Sequence, residues 1–205
     1  MKTTGFGAVA AMERDGWASL GRWVRRRPDV EPDTQTFAYH GATLPLMIVF
    51  TVVSALEVVA VDVMVPWSPA WLWLRVTLLV VGVWGVTFAL GMVAGVLVHP
   101  HTVGPDGIRI RGGRALDIRL PTPAIARVRA ARRTRDGRSV QVEDGVLYLP
   151  AASQTTVEIE LTEPRALTVP RLGEVTVRAI HLHADDARGF ARAAQPDRST
   201  GRRAQ

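Results

Sequence analysis

From Thr43 to Val98 the chain is almost continuously apolar, and in these 56 residues only Glu57, Asp62 and Arg75 carry charge. About 20 apolar residues suffice for one helical crossing, so this run is long enough for two. Pro66-Trp67-Ser68-Pro69 interrupts it. The pattern predicts a transmembrane helix over 43–65, an external turn at 66–69 and a second transmembrane helix over 70–98. Thr43 stands where an N-cap belongs, and Pro45 falls in the first turn, where its missing N–H costs little. His99-Pro100 stops the second helix. Trp67, Trp71 and Trp73 gather around the turn, as aromatic side chains do at a membrane–water interface.

On either side the pattern changes. In residues 1–40, Val9, Met12, Leu20, Trp23 and Val24 recur at helical spacing, while Gly5, Gly7, Gly16 and Gly21 each weaken a helix by up to about 1 kcal/mol. This cytosolic tail has two readings: an amphipathic segment held on anionic lipid by Arg25, Arg26 and Arg27, or a disordered stretch. Residues 101–195 alternate apolar and polar positions in short runs. Ile108–Arg111 and Leu116–Leu120 flank Gly112-Gly113. Ile125–Arg135 and Arg138–Val142 flank Asp136-Gly137, a two-residue hairpin signal. Val146–Leu149, Val157–Leu161 and Val175–Ile180 read as further strands. A short helix over 185–194, with Asp185 and Asp186 at its N-terminal end, closes this β domain. Residues 196–205 are polar and read as a flexible tail.

Charge orients the hairpin. Arg22, Arg25, Arg26 and Arg27 precede it, Arg109, Arg111 and Arg114 follow it, and the turn carries no basic residue. The positive-inside rule therefore predicts that both termini are cytoplasmic, and one lysine against 24 arginines points to a high-GC bacterial genome, hence to the plasma membrane of a bacterial cell. The net charge of +6 divides as +1 in residues 1–40, −1 in the hairpin and +6 in residues 99–205. There is no cysteine, which excludes disulfides, thiolate nucleophiles, Fe–S clusters and cysteine zinc sites. The only lysine is Lys2, so a Walker phosphate loop is excluded, and no Gly-x-Ser-x-Gly occurs. Gly5-x-Gly7-x-x-Ala10 matches a dinucleotide string but follows no strand. No cofactor and no catalytic residue is implied.

Four constellations remain. Measured from the middle of the turn, Asp62 lies five to six residues back, Arg75 seven to eight forward and Glu57 ten to eleven back. Arg75 thus falls between the carboxylates in depth, within about 3–5 Å of each along the helix axis. Charge inside a bilayer demands pairing, so the trio reads as a clamp between the helices or as an ion relay. Gly91 and Gly95 form a small-residue pair suited to close helix packing, within the hairpin or against a second copy of the chain. His181 and His183 share a strand face, a spacing metal sites use, with Asp185 or Asp186 as further ligands; exposed strand histidines are the alternative. Arg127, Arg129, Arg132, Arg133, Arg135 and Arg138 form a basic face for anionic headgroups or a protein partner. Stacking aromatics are missing there, which argues against nucleic acid.

Several of these pieces resemble the bacterial PH-like membrane proteins, in particular uncharacterised actinobacterial members. The matching elements are Phe37-x-Tyr39-His40 before the hairpin, Glu57 within it and His99-Pro100-His101 at its exit. In the β domain they are Leu116-Asp117-Ile118, Ile125 and Val128, Glu163-Pro164, and Asp185-Asp186 with Phe190. The resemblance covers residues 37–195. It implies a two-helix membrane hairpin joined to a cytosolic PH-like β-rich domain, a strongly bent antiparallel sheet with one C-terminal helix. It brings no activity with it. The expected role is that of a non-enzymatic membrane protein presenting its domain to a protein or to anionic lipid. The alternative is a membrane enzyme or transporter subunit using Glu57, Asp62 and Arg75, or a histidine metal site.

Overall fold

The computed structural model describes residues 5–113, 115–135, 140–170 and 172–195. Two units compose it. One is the chain up to Pro28 together with Thr43–Val98; the other is Asp29–Ala42 together with the chain from His99 onward.

In the first unit, α1 spans Gly5–Val24, α2 Leu44–Met64 and α3 Leu72–Val98, the last preceded by a single 3-10 turn at Pro69–Trp71. Gly5–Val24 is helical, so the disordered reading does not hold for that stretch, and the helix packs on α3 through Gly16 and Ser19. The two long helices and the turn between them fall where the pattern predicts. Valine-rich segments such as α2 are mediocre helix formers in water, but in hydrocarbon a helix is the one way for a single segment to satisfy its own backbone. The hydroxyls follow the same logic: Thr51, Thr77 and Thr87 each donate back to the carbonyl four residues earlier, at 2.7–2.8 Å. Thr43 occupies the N-cap position with no side-chain capping bond, so its expected role as a cap is not realised, while Pro45 sits in the first turn as expected.

Large apolar side chains cover the outside of α2 and α3: Phe50 is 64% exposed, Met64 80% and Trp73 68%. The helices are long and apolar enough to cross a membrane. In a water-soluble bundle such residues would point inward.

The second unit is β-rich. Its first sheet runs β1 (Gln35–Phe37), β2 (His101–Gly104), β3 (Gly107–Gly112), β4 (Leu116–Pro121), all antiparallel. Its second contains β5 (Ile125–Thr134), β6 (Gln141–Glu143), β7 (Val146–Leu149), β8 (Gln154–Val169) and β9 (Gly173–Leu182), in the order β5-β8-β9-β7-β6. Here the structure corrects three expectations. The tail does not end at residue 40 as a single cytosolic segment, because Asp29–Ala42 belongs to the β domain and Phe37 pairs with His101 across the whole hairpin. One bent antiparallel sheet becomes two sheets, with β7 parallel to β9. The strands expected to form a hairpin around Asp136-Gly137 lie at opposite edges of the second sheet. Asp136 and Gly137 themselves fall outside the described residues, as do Arg138 and the expected tail at 196–205.

Burial explains the second-sheet order. Val157, Ile159 and Leu161 on β8 meet Ile125 and Val128 on β5, all buried. That apolar seam outweighs a local turn preference. The domain closes with α4 (Ala187–Ala193), where the Asp186 side chain accepts the Gly189 N–H at 2.8 Å, a real N-cap. Phe190 on α4 is fully buried and lies edge-on to Phe37, ring centroids 5.1 Å apart.

Candidate functional site

The three charges of the apolar hairpin separate into a pair and a single residue. Arg75 Nη2 donates to Asp62 Oδ2 at 2.5 Å, and its guanidinium lies 3.3 Å above the Trp67 ring centroid. Salt bridge and cation–π contact together hold the cation where α2 meets the turn, which is the clamp geometry. Glu57 makes no such contact with Arg75. Depth alone suggested that it would, but five residues along an α-helix is 500° of rotation, so Glu57 and Asp62 point about 140° apart.

Glu57 instead lines a groove of about 870 Å³ between α2 and α3. Thr51, Ser54 and Glu57 form one stripe on the α2 wall, three residues apart. The α3 wall is formed of Leu78, Val81, Gly82, Gly85 and neighbouring residues. Gly82 is where the hairpin closes: a Cβ there would stand 2.5 Å from Val58 Cγ2. At Gly85 a Cβ would meet nothing within 4 Å, so this side of the groove is open.

Gly91 and Gly95 do pack a helix, though not α2. Their neighbour is α1: a Cβ at Gly91 would lie 3.1 Å from the Gly16 Cα, and one at Gly95 would lie 3.7 Å from Ser19 Oγ. Ser19 is correspondingly buried. On α1 it is Gly16 and Ser19 that meet this face of α3, whereas Gly21 faces open space.

In the β domain the basic face is largely matched by carboxylates. Glu158 is 1% exposed, yet receives Arg129 Nε at 2.6 Å on one oxygen and Arg133 on the other. Burial alone would raise the Glu158 carboxyl, but these two hydrogen bonds outweigh it and hold it below the usual carboxylate range. Arg135 pairs with Glu143 and stacks on Tyr148. Arg127 and Arg132 remain exposed, with no ion pair among the described residues. The intended one-sided arginine row is also broken by a register shift between Ala130 and Arg133.

The histidines do not converge on a metal. His181 lies edge-on to Tyr148, ring centroids 5.0 Å apart, while His183 Nε2 lies 3.3 Å from Asp185 Oδ1. Asp185 accepts the Gly41 N–H and Asp186 caps α4. Among the described residues no group of three His, Cys, Asp or Glu side chains is placed to hold a metal.

Sequence reasoning missed a cluster that joins the segment before the hairpin to the strands after it. Arg111 is buried and bridges Asp29 at 2.8 Å and Asp117 at 2.7 Å. Arg109 binds Asp117 through two bonds of 2.7 and 2.8 Å and reaches Glu31 at 3.3 Å. Its bidentate hydrogen bond pulls the Asp117 carboxyl down. Beside it, Tyr39 stacks on the buried His101, ring centroids 4.6 Å apart, and accepts the Gly113 N–H. His101 Nδ1 accepts the Arg111 backbone N–H at 3.0 Å, which leaves Nε2 to donate to the His183 carbonyl at 3.1 Å. Burial pushes its pKa down to about 4, and a proton on Nδ1 would face another donor. The Pro- and Asp-rich composition of residues 28–36 hid this role; the alternation Phe37-x-Tyr39 was the available signal.

No family model matches this chain, no curated protein matches it, and no solved structure matches it.

Proposed function

We propose that this chain is an integral membrane protein with two spans that holds a PH-like β domain at the cytoplasmic leaflet and offers it to a protein partner. The carrying observation is the pairing of β1 with β2 across the hairpin. Residues on both flanks of α2 and α3 share one sheet, so the chain must cross the bilayer an even number of times. The arginines flanking the hairpin support a cytoplasmic side for those flanks, by the positive-inside rule. The meander of β1–β4, a second sheet and a closing helix are consistent with the PH-like resemblance. Pairing of Arg129, Arg133 and Arg135 with carboxylates reduces the attraction of that face for anionic headgroups, which favours a protein over lipid as its partner.

Because the chain has no cysteine, single-cysteine labelling tests the topology cleanly. Ser68→Cys should react with a membrane-impermeant maleimide in intact cells, and Thr122→Cys only after lysis. Equal labelling of both, or the reverse, refutes the topology. The domain's role is tested by joining Asp29–Ala42 to His99–Gln205 and mixing the product with neutral and anionic vesicles. Tight, salt-sensitive binding to anionic vesicles would replace the protein partner with lipid.

A further inference from the structure

Glu57 is the one membrane-embedded charge left without an ionic partner among the described residues. Ten to eleven residues from the turn correspond to about 16 Å of helix, which is the midplane of a bilayer core of about 30 Å. A glutamate that stays ionised at that depth needs a cationic donor at that depth. Lipid headgroups lie about 15 Å away, at the interface. Arg75, the only basic residue of the hairpin, is occupied by Asp62. A second copy would bring only the same paired Arg75 as a hairpin cation, and a twofold axis through the groove would set one Glu57 against another. Apart from Thr51 and Ser54 on the same wall the groove around Glu57 is apolar, and Gly85 leaves the opposite wall open.

We propose that this groove docks a membrane-spanning helix of another protein, one that carries a basic side chain near the bilayer midplane. Its cation pairs with Glu57, and the open face at Gly85 admits its backbone closely. The proposal rests on the two-span reading above and makes the partner a membrane protein.

The test uses the full-length protein in lipid vesicles. The probe is a labelled Leu/Ala transmembrane helix with a single central lysine, compared with the same helix carrying leucine there. Energy transfer should report roughly 5–30-fold tighter association for the lysine probe, the range of a strong interhelical hydrogen bond. Glu57→Leu should remove that preference. Glu57→Lys should transfer it to a probe carrying a central glutamate, a rescue that a merely misfolded variant would not show. Equal association of lysine and leucine probes overturns the proposal. So does transfer between two labelled copies of the protein that Glu57→Leu abolishes, which would assign the groove to self-association. Alkaline extraction of the same vesicles keeps the two ideas apart. Loss of the protein to the wash would sink the two-span reading, whereas retention without a lysine preference sinks only this proposal.

Discussion

Cutting the chain after the hairpin should not yield a folded domain, although the strands from His101 onward look self-sufficient in the sequence. A fragment beginning at His99 loses Asp29–Ala42. With that segment go Phe37, buried against Phe190, and the whole of β1. Removing a buried phenylalanine costs about 3–5 kcal/mol. Losing Asp29 takes one of the two carboxylates that neutralise buried Arg111, worth about 1–3 kcal/mol. The sum, roughly 4–8 kcal/mol, is comparable with the whole stability of a typical domain, about 5–15 kcal/mol. The matched experiment links Ala42 to His99 through about eight Gly/Ser residues, which reach roughly 15 Å. Phe37 pairs with His101, so the two ends approach each other within the sheet. Urea titration followed by circular dichroism should show a cooperative transition for the linked protein and a shallow or absent one for the bare fragment. Equal midpoints for the two would refute the claim that the segment before the hairpin is part of the domain.

Three further outcomes follow from the geometry. Ser19→Cys with Gly95→Cys should crosslink on oxidation, because Ser19 Cβ lies 3.9 Å from a Cβ built on Gly95, within the disulfide range; adding Gly91→Leu should abolish the crosslink on a non-reducing gel. Asp62→Leu should lower thermal stability in detergent by about 3–5 kcal/mol by stranding Arg75, while Asp62→Leu with Arg75→Leu should recover most of it; a double variant as weak as the single one would contradict the clamp. For His101 the folded pKa of about 4 lies below the unfolded value of about 6.5, so below pH 6.5 the unfolded state binds the extra proton. Stability of the linked β domain should hold above pH 6.5 and decline as the pH falls towards 4, by about 3 kcal/mol from this residue, with a flatter profile for His101→Gln.

The hairpin was readable because its signal is local: continuous apolarity, a Pro-Trp-Ser-Pro turn and flanking arginines. Strands with alternation of their own, such as Leu116–Pro121, were readable for the same reason. β1 was not, since three residues carry no period and its pairing partner lies beyond the hairpin. The Asp136-Gly137 signal misled because a turn preference of a few tenths of a kcal/mol competes with the apolar seam of β5 and β8. At the candidate site, the depth of the three membrane charges was correct in kind, but their directions around the helix decide who pairs. Gly91 and Gly95 announced close packing without naming the helix, and nothing in the glycine-rich residues 5–24 pointed to it.

The pairing of β1 with β2 has a consequence for synthesis. The chain leaves the ribosome with Gln35–Phe37 first, and at about 5–20 residues per second several seconds pass before His101 follows. During that interval the first-made edge strand and Phe37 wait without their partners; on the two-span proposal, this is when the apolar helices would enter the lipid. Should only one helix insert, the two strands would end on opposite faces of the membrane and the sheet would never close. On that proposal, completion of the domain would report that both helices had been threaded.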